Sequence, residues 1–114
     1  MKRVWLFAII LLAGCGSSST TVTRDISPLP PANIVGASVP GGVLLSWSPS
    51  STNGVSGYRI YRGTSPDALT LLGESEGLSY TDSTIESGNT YYYSVTAVKA
   101  NVESAQSDQL IWGT

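Results

Sequence analysis

Histidine is absent from the 114 residues, cysteine occurs once, at Cys15, and charge is sparse: six Lys and Arg stand against eight Asp and Glu. Each shortage removes a class of chemistry. Without histidine or a second cysteine, zinc, haem and iron–sulfur centres lose their usual ligands. Ser-His-Asp and Cys-His nucleophilic catalysis lose their base. A single cysteine makes no internal disulfide, so packing alone must hold the fold. Two of the six cations, Lys2 and Arg3, open the chain in a segment expected to be removed; the remainder has four basic against eight acidic residues, a formal charge of −4. That leaves no basic stripe to neutralise phosphates, and nucleic acid is not an expected partner. No sustained helical period and no internal repeat is visible. Asp67, Asp82 and Asp108 stand alone rather than in an Asp-x-Asp-x-Asp loop, so no metal site and no cofactor is expected.

What is present begins with Met1-Lys2-Arg3 and an unbroken apolar run from Val4 to Ala13. Ten helical residues cover about 15 Å, half of a hydrocarbon core of roughly 30 Å, too short for a stable span. Positive charge, a short apolar core and small residues in that order describe a secretory signal peptide. Leu12-Ala13-Gly14-Cys15 closes the run and resembles the lipobox of bacterial lipoproteins. The resemblance implies cleavage before Cys15, with diacylglycerol on its sulfur and a fatty acyl group on the new amino terminus. The alternative is ordinary cleavage near Gly14, which leaves an oxidisable thiol at Cys15. Two or more chains anchor firmly where one does not, so the membrane is an expected partner through the lipid. Gly16 is not the Asp that marks inner-membrane retention in such lipoproteins, and the resemblance favours the outer membrane in a two-membrane host.

Residues 1–14 are therefore expected to be signal, 15–29 the lipidated cysteine and a polar tether, and 30–114 one folded domain. The tether is rich in Ser and Thr, ends in prolines, and buries too little to be ordered. About 15 residues of flexible coil reach on the order of 20 Å. From Ala32 onward short alternating segments are separated by turn residues, the pattern of an all-β sandwich. Val43, Leu45 and Trp47 form one face of a strand; so do Tyr58 and Ile60, and Tyr91, Tyr93, Val95 and Ala97.

In order and spacing these segments resemble a fibronectin type III domain, which implies a seven-stranded antiparallel immunoglobulin-like sandwich. Strand A is expected over Pro31–Ile34, B over Val43–Trp47 and C over Gly57–Tyr61. C′ follows over Leu69–Leu72, E over Ser79–Asp82, F over Tyr91–Lys99 and G over Ser104–Ile111. Ile85 and Gly88 before Tyr91 resemble the family's corner, where the tyrosine hydroxyl bonds backbone upstream. Trp47 is expected at the core centre with Ile60, Tyr93 and Val95. The adhesion tripeptide Arg-Gly-Asp is absent; Arg62-Gly63-Thr64 carries no acid.

A lipid anchor, a tether and a sandwich point to a non-catalytic interaction or spacer module of the cell envelope, with an envelope protein as the expected partner. A polysaccharide-binding surface is the alternative, and a small envelope hydrolase the third reading. Hydrolysis would need two carboxylates about 5–10 Å apart in a cleft; Glu74, Glu76, Asp82 and Glu86 all read as solvated loop residues. Tyr61 and Tyr92 are outward by parity and are expected as a cross-strand pair at the joined ends of strands C and F. Arg59 stands on the same face, and Trp112 is near the same rim. Leu110 and Trp112 oppose Ile111, and either set could face the core. Tyr61, Tyr92, Arg59 and Trp112 make up the one candidate contact patch.

Overall fold

Period-two alternation becomes two facing antiparallel sheets in the computed structural model, which describes residues 27–114. The expected signal, the Leu12-Ala13-Gly14 box, the lipidation site Cys15 and most of the tether lie outside the described residues. Strands run β1 (Ala32–Val39), β2 (Gly42–Ser48), β3 (Gly57–Gly63), β4 (Thr70–Ser75), β5 (Ser79–Asp82), β6 (Thr90–Lys99), β7 (Val102–Glu103) and β8 (Leu110–Gly113). One sheet has the order β1-β2-β5. The other has the order β4-β3-β6, with β7 and then β8 pairing along β6.

The β2 burial pattern alternates strictly, with Val43, Leu45 and Trp47 buried, because every second Cβ points between the sheets. Tyr58 and Ile60 of β3 and Tyr91, Tyr93, Val95 and Ala97 of β6 close the core from the other side. Trp47 packs edge-on against Tyr58, ring centroids 5.7 Å apart. The Tyr58 hydroxyl escapes burial without a partner by accepting from the Ser50 backbone N–H at 3.0 Å. The Trp47 indole N–H is buried with no acceptor among the described residues, a cost the surrounding apolar contact must offset.

Three strand boundaries differ from expectation. Strand β1 continues to Val39, pairing with β2 up to a turn at Pro40 and Gly41. Proline presets one φ and Gly41 takes the other at +83°, which a type II turn requires. Strand β4 lies over Thr70–Ser75 rather than Leu69–Leu72. The expected last strand, Ser104–Ile111, is split. After a two-residue turn, with Ala100 and Asn101 both at positive φ, β7 is short, and β8 begins only at Leu110. Between them two serines stand in for the ladder. The Ala97 N–H donates to Ser104 Oγ at 2.9 Å and the Val95 N–H to Ser107 Oγ at 3.0 Å. The Ser104 and Ser107 N–H groups return the bonds to the Ala97 and Val95 carbonyls. Each hydroxyl widens the ladder by the length of a side chain without orphaning a β6 amide.

The folded unit also begins earlier than Pro30. The Leu29 N–H donates to Thr52 Oγ1 at 2.9 Å and Ser50 Oγ donates to the Leu29 carbonyl at 2.6 Å. The chain thus enters beside the loop between β2 and β3, at the end of the sandwich that also holds the β6–β7 turn.

Candidate functional site: the outer face of the larger sheet

Strand parity places Tyr61 and Tyr92 outward, but not directly opposite each other. Tyr61 faces Ser94, and Tyr92 faces Gly63, so the two tyrosines are diagonal neighbours one pleat apart. The expectation erred because the β3–β6 register runs two residues further along than joined strand ends would give. Their direct partners are aliphatic. Leu71 of β4 stands opposite Tyr61, and Ile111 of β8 opposite Tyr92. Leu71 is 52 % and Ile111 62 % exposed, while both tyrosines are part-buried. Four strands in spatial succession thus each present one large apolar side chain: Leu71, Tyr61, Tyr92, Ile111. The stripe lies in the half of the sheet away from the Leu29 junction.

Trp112 does not belong to it. It pairs with Tyr91, whose side chain is in the core, and so shares the inward face. Its ring rests on Gly36 of β1; a Cβ there would lie 2.9 Å from it. Glycine leaves the floor open, the indole fills it, and Ile111 takes the outward place.

Arg59 is outward, as expected, but is tied into a polar row beside the stripe. Its Nη1 donates to Glu103 Oε1 at 3.0 Å, and its Nε lies 3.5 Å from Glu74 Oε2. Thr96 Oγ1 donates to Glu103 Oε2 at 2.6 Å, and the Tyr61 hydroxyl donates to that same oxygen. Burial raises the Glu103 carboxyl, but the bonds from Thr96, Tyr61 and Arg59 outweigh it and hold the group below its ordinary range. Burial and the neighbouring carboxylate push the Tyr61 hydroxyl up. Glu103 was not among the residues singled out from sequence. Its signal is positional: the turn after Lys99 returns it across β6, opposite Val98.

Asp82 is the larger correction. It is 1 % exposed, not a solvated loop acid. As the last residue of β5, facing Val43 in the ladder, it points inward and receives four donors. The Tyr93 hydroxyl is 2.6 Å from Oδ2 and Arg62 Nη1 2.9 Å from it. Thr84 gives its hydroxyl at 2.7 Å and its N–H at 3.0 Å to Oδ1. Burial works against the charge, yet the Tyr93, Thr84 and Arg62 bonds prevail and the carboxyl is lowered. The Tyr93 hydroxyl is raised strongly by burial and by Asp82. Arg62 also covers the Tyr91 ring, 5.0 Å from its centroid. The Tyr91 hydroxyl accepts from the Glu86 N–H at 2.9 Å and from Asn89 Nδ2 at 3.2 Å, which is the expected corner. This end of the sandwich is a structural lock, in which both oxygens of the buried carboxylate and the Tyr93 and Tyr91 hydroxyls are bonded.

Glu74, Glu76 and Glu86 are all solvent-facing. Glu74 lies on β4 rather than in a loop, and with Glu76 it borders a cleft of about 270 Å³ that also exposes Arg59 and Asn101. A general acid must be desolvated enough to keep its proton. The Glu74 side chain is 64 % exposed and paired with Arg59, Glu76 is exposed, and Glu86 is exposed beyond β5. Among the described residues no three acid, histidine or cysteine side chains gather as a metal ion would need.

No family model matches the chain. An amylopullulanase of Thermoanaerobacterium saccharolyticum is 35 % identical over 74 residues, which are 63 % of this chain and 6 % of that enzyme. The chain therefore spans a small fraction of that relative's length. Among solved structures, a Fn3-like protein from Clostridium thermocellum superposes with a TM-score of 0.66 at 27 % identity, over 75 % of this chain and 91 % of that one. A β-1,2-glucanase from Parabacteroides distasonis gives 0.67 at 25 % identity, over 78 % of this chain and 13 % of that one. Domains A168–A170 of titin give 0.69 at 20 % identity, over 77 % and 32 %, a likeness of fold alone. Sheet order, corner tyrosine and these likenesses agree: residues 32–113 form a fibronectin type III-like β-sandwich.

Proposed function

We infer that the chain is a lipid-anchored, non-catalytic module of the cell envelope whose contact surface is the Leu71–Tyr61–Tyr92–Ile111 stripe and whose partner is another envelope protein. The carrying observation is the stripe itself. Exposed apolar side chains scattered singly mean little, but a contiguous run across four strands, edged by the polar Glu74–Arg59–Glu103 row, has the make-up of a binding patch. Tyrosine gives such a patch large, stiff contact area and a polar rim. The anchor rests on the Leu12-Ala13-Gly14-Cys15 box, and the stripe lies in the half of the sheet away from Leu29, where the anchoring segment joins the domain.

A polysaccharide partner is the second reading, supported by the similarity to a stretch of an amylopullulanase and the likeness to part of a β-1,2-glucanase. Tyrosine faces on a flat sheet suit the apolar face of a sugar ring. The double change Tyr61→Ser with Tyr92→Ser separates the readings. Lipoprotein recovered from its own envelope should lose a discrete protein partner while its thermal midpoint falls only slightly. Loss of retention on insoluble glucan, with protein partners unchanged, supports the sugar reading. Retention of every partner removes the stripe from both.

A further inference from the structure

We propose that Asn53–Gly54 is a self-modification site, at which the folded chain converts Asn53 to isoaspartate or aspartate and thereby loosens the junction that holds its N-terminal segment. The reaction needs only water. The Gly54 backbone nitrogen gives up its proton and attacks the Asn53 side-chain carbonyl carbon. The C–N bond to the side-chain amide breaks and ammonia leaves, closing a five-membered imide. Water then opens that ring at either carbonyl, giving aspartate or, with the backbone routed through the side chain, isoaspartate.

The structure gathers the conditions for this at one of the chain's four asparagines. Asn33, Asn89 and Asn101 precede Ile34, Thr90 and Val102, whose branched side chains shield the attacking nitrogen. Asn53 precedes glycine, which has no side chain to do so. The Asn33 amide is held by Ser48 Oγ at 3.1 Å and the Asn89 amide by Tyr91 Oη at 3.2 Å. Asn53 is exposed, and its amide has no hydrogen-bond partner among the described residues. The two residues form a turn in the β2–β3 loop, with Gly54 at φ +85°.

Lys99 from the end of β6 adds the electrostatics. Its stem crosses Gly54 so closely that a Cβ there would lie 3.1 Å from Cε and 3.6 Å from Nζ. A cation beside Gly54 favours the deprotonated nitrogen that must attack, and afterwards the new carboxylate. The consequence falls on the next residue back. Thr52 Oγ1 accepts the Leu29 N–H, and Ser50 Oγ links the Thr52 N–H to the Leu29 carbonyl. Isoaspartate inserts an extra methylene into the backbone directly beside this clamp.

The full-length protein, purified folded and incubated at neutral pH, tests the proposal by peptide mass and by labelling with an isoaspartyl methyltransferase. Label should accumulate in the peptide spanning Asn53, stay absent from Asn53→Gln, and leave Asn33, Asn89 and Asn101 as amides. In the modified fraction the Leu29 amide should exchange with solvent faster than in the unmodified one. An Asn53 that keeps its amide until the protein is denatured, or a Leu29 amide that exchanges equally in both fractions, overturns it.

Discussion

The Tyr93 hydroxyl lies 2.6 Å from the Asp82 carboxylate, joining β6 of one sheet to β5 of the other inside the sandwich. Arg62 and Thr84 complete the set, so the charge is paired and every carboxylate oxygen is bonded. Removing the carboxylate strands the buried Tyr93 hydroxyl and leaves Arg62, 25 % exposed, without its partner; an orphaned buried polar group typically costs about 1–3 kcal/mol. Asp82→Ala should lower the unfolding free energy by about that amount, read from denaturant midpoints at constant slope. A loss below that of an ordinary surface substitution would mean the lock is dispensable.

The same carboxylate fixes the response to acid. Its folded-state pKa lies below the unfolded one, so the unfolded chain binds the proton more readily. The stability it supplies is complete above the ordinary carboxylate value of roughly 4 and disappears as pH falls through the depressed folded value. Glu103 acts in the same direction. Stability measured down the pH scale should fall through this window, and Asp82→Asn should flatten much of the slope while lowering stability at neutral pH. An unchanged slope would place the acid response elsewhere.

Tyr91 and Tyr92 are adjacent and should behave oppositely. The Tyr91 hydroxyl satisfies two donors at the corner, whereas the Tyr92 hydroxyl bonds nothing among the described residues. Tyr91→Phe should cost about 1–2 kcal/mol and Tyr92→Phe almost nothing. Equal losses would contradict the β6 register.

Ser107→Ala removes the acceptor of a buried Val95 N–H, and an orphaned buried donor costs about 1–3 kcal/mol. Amide exchange at Val95 should accelerate while that at Ala97, served by Ser104, stays slow. Exchange unchanged at both would show that the serines do not carry the ladder.

These four tests also mark where sequence is informative. Alternation made the core faces of β2, β3 and β6 legible, because apolar burial enforces one parity and a slip of one residue would expose the whole set. The corner was legible through Ile85, Gly88 and Tyr91. The split of the last strand was not: serines read as loop or strand equally well, and only the pairing shows their hydroxyls replacing backbone acceptors. Asp82 misled because an isolated acid at a strand end resembles a solvated one, and its partners Arg62, Thr84 and Tyr93 come from three segments. The stripe was half legible. Parity located Tyr61, Tyr92 and Arg59, but pairing register, which parity does not fix, decided that Leu71 and Ile111 complete it and that Trp112 faces inward.

The proposed contact face is tested most directly by a photoreactive amino acid placed singly at Leu71, at Ile111 and, as a control, at Val35. Val35 is equally exposed, at 54 %, but belongs to the opposite sheet. Irradiation in the native envelope should give one discrete protein adduct from positions 71 and 111 and none from 35. Adducts of equal yield from all three positions, or from position 35 alone, would contradict the assignment of the stripe as the surface this module uses.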